Sequence, residues 1–204
     1  MNHWDSFYAS GQVPDIPSQF AVFVANEFPA PAAVLDIGCG NGRDSAFFAR
    51  SGKQVIGIDR SETAVAHCRA RIGDMAEFLV GDVQHNALWS DIGARLGEGS
   101  DPLIVYARFF LHAIDEASEA VLIDGAARLL TNRPGALCIE CRTARDRTGA
   151  KVTPDHYRRY LEPAALYQRL QAAGFVIDYA VEGFGFAKYK DDDAHVLRVI
   201  ARRR

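Results

Sequence analysis

The sequence has no long apolar run. No stretch approaches the ~20 residues that a membrane-spanning helix needs. Its first residues, MNHWDSFYAS, lack the basic n-region and apolar h-region of a secretory signal. Cysteine is scarce: four in 204 residues are too few for a disulfide scaffold. Net charge is small, formally -3, which argues against a nucleic-acid or membrane surface as partner. No internal repeat and no low-complexity linker divides the chain. With 49% apolar residues, a chain of this length buries roughly 70% of its unfolded surface. The expectation is one cytoplasmic domain over residues 1–204, with residues 1–30 as an N-terminal lid and first helix.

The cysteines carry little chemistry. Cys138 and Cys141 match C-x-x-C, but they lie in GALCIECR, which reads as a buried strand. Strand positions i and i+3 point to opposite faces. Neither a zinc site nor a redox pair fits, and small buried hydrophobes do. No metal site is expected.

Strands and helices alternate. Ser18 precedes QFAVFVANEF as a helix N-cap. Strands are expected at 33–37, 54–58, 77–80, 103–107 and 136–140, with helices at 44–50, 62–71, 85–96 and 116–130 between them. A helix at 163–173 follows, stopped by Gly174. Strands at 175–180 and 196–201 have no helix between them and read as a hairpin. The fold class is therefore α/β: a Rossmann-like, seven-stranded, mainly parallel sheet with helices on both faces and a C-terminal antiparallel hairpin. Ligands in such sheets bind beyond the carboxyl ends of the strands.

There the chain reads VLDIGCGNGRDSAFFA, residues 34–49. Gly38, Gly40 and Gly42 form a turn that lets backbone approach a ligand closely. A dinucleotide site wants G-x-G-x-x-G. The third glycine here comes one residue early, and Arg43 stands where that motif needs glycine. A pyrophosphate would also be repelled by Asp36, whereas a cationic ligand would be attracted.

Asp36-x-Gly38-x-Gly40-x-Gly42 resembles motif I of the class I S-adenosylmethionine-dependent methyltransferases. The likeness extends over nearly the whole chain through the strand order and closing hairpin. The resemblance implies S-adenosylmethionine as cofactor and S-adenosylhomocysteine as product. It places the glycine turn, with Cys39, Arg43 and Asp44, along the methionine and ribose part, and Asp36 near the amino-acid end. It gives the ribose hydroxyls to Asp59, next to Arg60, and the adenine to Asp82 and the Val83 amide.

The resemblance puts the acceptor beside YARFFLHAIDE, residues 106–116. No N-P-P-Y or D-P-P-Y stretch is present, which weakens a base-amine acceptor. His112 is a candidate general base, because its unperturbed pKa lies near neutrality. Arg108 is a candidate for holding the cofactor carboxylate or an acceptor anion. The segment ECRTARDRTGAKVTPDHYRRY concentrates positive charge on an acidic chain, and arginine's planar fork suits carboxylate or phosphate. Arg142, Tyr157 and Arg158 are expected to bind an anionic or polyhydroxyl acceptor, a sugar or phosphorylated compound, with O-methylation favoured. Trp4 and Tyr8 are expected to fold over the site. KYKDDDAH, residues 188–195, reads as a solvated hairpin loop. Two alternatives stay open: a non-catalytic protein that binds the cofactor, and a methyltransferase acting on thiols or chalcogen oxyanions.

Overall fold

A computed structural model describes residues 15–30, 32–97, 101–147, 157–189 and 191–203. Its order is α1 (Gln19–Glu27), β1 (Ala33–Ile37), α2 (Arg43–Arg50), β2 (Gln54–Asp59), α3 (Glu62–Ile72) and β3 (Glu77–Val80). Then come α4 (Asn86–Leu96), β4 (Leu103–Arg108), α5 (Glu116–Leu129), β5 (Gly135–Arg142), α6 (Pro163–Ala172), β6 (Phe175–Gly183) and β7 (Val196–Arg203). The helices begin where capping chemistry allows. Ser18, Ser61 and Asp115 each accept the backbone N–H three residues on, from Ala21, Ala64 and Ser118.

The seven strands form one sheet in the order β3-β2-β1-β4-β5-β7-β6. β1 to β5 are parallel. β7 inserts between β5 and β6, antiparallel to both, so the expected hairpin is present. β5 runs to Arg142 rather than to residue 140 because β7 pairs with it from Leu137 to Arg142. The sheet order reverses between β1 and β4, which places a crevice at their carboxyl ends.

Alternation along the strands sorts the core onto two faces. Leu35, Ile37, Val105 and Ala107 pack under α4, α5 and α6, with Trp89, Leu122 and Leu166. Val34, Ile104 and Tyr106 pack under α1 and α2, with Phe20 and Phe48. The Tyr106 ring lies 5.3 Å from that of Phe20 and 5.2 Å from that of Phe48. Cys138 belongs to the second face and Cys141 to the first, as strand alternation requires, and burial pushes both thiols up. Among the described residues no helix is long and apolar enough to cross a membrane, and no group of three or more His, Cys, Asp or Glu is arranged to hold a metal ion.

Candidate functional site

The turn after β1 uses its glycines in different ways. Gly38, Gly40 and Gly42 have φ of 71°, 56° and 72°, the left-handed region that side chains disfavour. A Cβ on Gly42 would lie 2.8 Å from Cys68 Sγ and from Ile72 Cδ1 of α3. The amides of Gly38 and Cys39 donate to the Ile58 carbonyl at 2.8 and 2.9 Å. Cys68 Sγ donates to the Gly40 carbonyl at 3.2 Å, and Arg71 Nη2 to the Asn41 carbonyl at 2.8 Å. Helix α3 therefore braces the turn, and the sequence signal was only that Cys68 and Arg71 share one helix face at i, i+3.

Asp59 closes the turn from β2. Its Oδ2 accepts the Gly40 amide at 3.0 Å and its Oδ1 the Ser61 amide at 2.9 Å. Burial pushes its pKa up while these amides pull it down. Two oxygens with about four lone-pair sites leave acceptor capacity beyond the two amides. Asp82, beyond β3, accepts the Gln84 amide at 3.0 Å, and the Val83 carbonyl accepts Trp89 Nε1 at 2.9 Å.

These strand ends surround one cavity of about 360 Å3. Gly38, Asp59, Arg60, Asp82 and Val83 line one side, and Phe109, Phe110 and Tyr157 line the other. Phe109 was missed by the sequence reading. It has φ of 53°, unusual for a bulky residue. Its amide donates to the Glu140 carbonyl at 2.7 Å. The guanidinium carbons of Arg108 and Arg142 lie 4.3 and 5.2 Å from its ring centroid.

On the α1 side of the sheet, Asp36 is buried, and Ser45 Oγ donates to its Oδ2 at 2.5 Å. Burial first, and the Asp44 charge second, push its pKa up to about 7. Among the described residues its other oxygen meets no donor. Asp44 does not fit the cofactor role expected of it. Its carboxylate accepts the Ser18 amide at 2.7 Å, Ser18 Oγ at 2.8 Å and Tyr106 Oη at 2.9 Å. Those bonds use it to join α1, α2 and β4. Cys39 is buried, and its thiol is raised well above the usual value by a hydrogen bond with Cys68 and then by burial. It packs rather than reacts.

The acceptor side departs more from expectation. Arg142 is buried, donating to Asp146 Oδ2 at 2.5 Å and to both Asp192 oxygens at 3.2 and 2.6 Å. An arginine already matched by two carboxylates has little left for an acceptor, so its expected substrate role is replaced by a structural one. Asp192 lies in the loop that read as solvated; it is buried, as is Ala194. His112 is also buried. Its Nδ1 accepts the Arg142 amide at 3.4 Å and its carbonyl accepts the Arg159 amide at 2.7 Å. His112 is not among the residues that line the cavity. Tyr157 is exposed at the cavity mouth and Arg158 is half-buried. Trp4 and Tyr8 lie outside the described residues.

A buried carboxylate ties the two sides together. Glu140, on β5, accepts Arg108 Nε at 2.8 Å and Arg198 Nε at 2.7 Å and is itself fully buried. A charged residue inside the apolar run GALCIECR was the available signal, because a buried acid needs partners.

Residues 34–133 match the family model described as a methyltransferase domain. The chain is similar in sequence and fold to the class I S-adenosylmethionine-dependent methyltransferases. The chain is 28% identical over 165 residues to a probable S-adenosylmethionine-dependent methyltransferase of Mycolicibacterium smegmatis. That match takes in 79% of this chain but 58% of the relative, so the chain spans a little over half of the relative's length. A crystal structure of an S-adenosylmethionine-dependent methyltransferase from Anabaena variabilis has the same fold, with a TM-score of 0.74 and 17% identity over 100% of this chain and 96% of that one. The Burkholderia thailandensis 1,6-didemethyltoxoflavin-N1-methyltransferase, bound to 1,6-didemethyltoxoflavin and S-adenosylhomocysteine, gives 0.64 and 25% over 90% and 76%.

The methyltransferase cofactor fits the residues present. It carries a sulfonium and an ammonium, and Asp36 offers a buried oxygen that no described residue meets with a donor. Its ribose diol suits the acceptor capacity left on Asp59, and its adenine suits the cavity beside Asp82 and Val83.

Proposed function

We propose that this protein transfers the methyl group of S-adenosylmethionine to a small-molecule acceptor that carries an anionic or polyhydroxyl group. The observation that supports this reading best is the meeting of Gly38, Asp59, Asp82 and Val83 on one cavity. In the proposed arrangement Asp59 holds the ribose, Asp82 and the Val83 amide hold the adenine, and Asp36 faces the cationic end. When bound, the cofactor supplies a methyl group on a positively charged sulfur, open to in-line displacement. The chain's part is then to align and to shield. Phe109 and Phe110 wall the cavity against water, while Tyr157 borders its mouth. The acceptor's proton leaves to His112, the candidate general base, or to water. An oxygen nucleophile is favoured because no proline-rich amine-binding stretch follows β4.

Thermal stability with added ligand tests the cofactor half, since a ligand that binds the native state raises its melting temperature. S-adenosylhomocysteine is expected to raise it and NAD to leave it unchanged; the reverse would overturn the reading. A screen of small-molecule pools with methyl-labelled S-adenosylmethionine then identifies the acceptor. Labelled product from neutral amines alone would overturn the acceptor class.

A further inference from the structure

The cavity wall opposite Asp59 and Asp82 comes from three separate pieces of chain. Phe110, Ala113 and Ile114 follow β4, Ser118 stands in α5, and Tyr157 precedes α6. One guanidinium joins the three. Arg159 donates from Nε to the Ile114 carbonyl at 3.2 Å and from Nη2 to the Leu111 carbonyl at 3.3 Å. Its Nη2 also bonds Glu119 of α5, and its Nη1 comes within 3.5 Å of Glu116 Oε1. Its backbone amide donates to the His112 carbonyl at 2.7 Å. The turn that it grips is closed by the Ala113 amide, which donates to the Phe110 carbonyl at 2.8 Å. Such a set of bonds needs the several donors of a planar fork, which an ammonium lacks.

Tyr157 depends on this anchor. Among the described residues its side chain has no hydrogen-bond partner, and it is 59% exposed. Its place at the cavity is therefore set through the backbone, by Arg159 two residues on and then by Leu161, whose amide donates to the Arg142 carbonyl at 3.2 Å. Arg159 is not itself among the residues that line the cavity. Glu119 is fully buried and also takes Arg169 of α6, at 2.5 Å. A buried acid needs such partners. A cluster of this kind returns little net stability against an apolar replacement, but it fixes the bearing of every group bonded to it.

We propose that Arg159 is a positioning residue. It sets Tyr157 and the turn from Phe110 to Ile114 against each other, and through them the shape of the cavity that takes the nucleoside of the cofactor. The proposal rests on the methyl-transfer reading for the ligand it names.

Two measurements test it, both made well below the unfolding midpoint. The first is calorimetric titration with S-adenosylhomocysteine on wild type, Tyr157→Ala, Arg159→Gln, Arg159→Lys and the double variant Tyr157→Ala with Arg159→Gln. Tyr157→Ala and Arg159→Gln are each expected to weaken binding by roughly tenfold. The double variant should bind no more weakly than Arg159→Gln alone, because one residue acts through the other. Arg159→Lys keeps a charge for Glu119 and should hold its melting temperature near that of wild type. Without the fork it should still bind as weakly as Arg159→Gln. Wild-type affinity in either arginine variant, or losses that add in the double variant, would overturn the proposal. The second measurement, amide hydrogen exchange, needs no ligand. In Arg159→Gln, residues 110–114 and 157–161 are expected to lose protection while β4 and the body of α5 keep it. Unchanged protection, or an even loss across the chain, would overturn the proposal as well. Wild type that does not bind S-adenosylhomocysteine would overturn the methyl-transfer reading instead, and the exchange measurement would still decide the role of Arg159.

Discussion

Gly40 donates its amide to Asp59 at 3.0 Å, which makes the turn after β1 and the acid ending β2 a single unit. The residue expected to grip the ribose also sets the backbone that lies along the cofactor. Asp59→Ala therefore removes a contact and loosens the turn together. The expected loss in S-adenosylhomocysteine affinity is about ten- to a hundredfold, measured by calorimetry. Asp59→Asn keeps one acceptor for Gly40 and should fall between the two. Wild-type affinity in both variants would remove Asp59 from the site.

Gly42 tests the bracing by α3. With φ of 72° and Cys68 Sγ 2.8 Å from where a Cβ would stand, Gly42→Ala should cost about 1–3 kcal/mol of stability. Denaturant unfolding measures this. Cys68→Ser, which keeps a donor for the Gly40 carbonyl, should bind S-adenosylhomocysteine better than Cys68→Ala. Equal affinities would reduce Cys68 to packing.

Asp36 makes stability depend on pH. Its native pKa of about 7 lies above the ordinary value of 3.8, so between these values the folded chain binds more protons than the unfolded one. Stability without ligand should then fall as pH rises from about 4 to 7. Asp36→Asn should flatten that decline and raise the melting temperature at neutral pH, while weakening S-adenosylhomocysteine. Parallel melting curves for variant and wild type would count against a raised Asp36.

Arg142 now carries a stability prediction in place of a kinetic one. Asp192→Asn or Arg142→Ala breaks a buried pair and should cost about 3–5 kcal/mol, read as a drop in the unfolding midpoint. S-adenosylhomocysteine affinity measured below that midpoint should stay within a few fold of wild type. A variant as stable as wild type would return Arg142 to the acceptor.

The local chemistry was legible in the sequence. Alternation placed every strand core, the glycines marked the turn, and an acid at the end of each of β1, β2 and β3 marked the crevice. Partners distant in sequence were not legible. Nothing in KYKDDDAH says that Asp192 turns inward, because its partner Arg142 is 50 positions away. Part of the Arg142–Arg159 charge is met by carboxylates the sequence does not place beside it: Asp192 takes Arg142, and Glu119 takes Arg159.

The insertion of β7 between β5 and β6 has a consequence for assembly. A chain made from its amino end completes β5 well before β7, so Glu140 has Arg108 alone as partner in an apolar strand until Arg198 arrives 58 positions later. The parallel part of the sheet can form around local crossovers, but this last strand must enter a place held open for it. Pairings of such long range are slow to close. Arg108, which shares the same carboxylate, takes its final bearing only when that strand is seated.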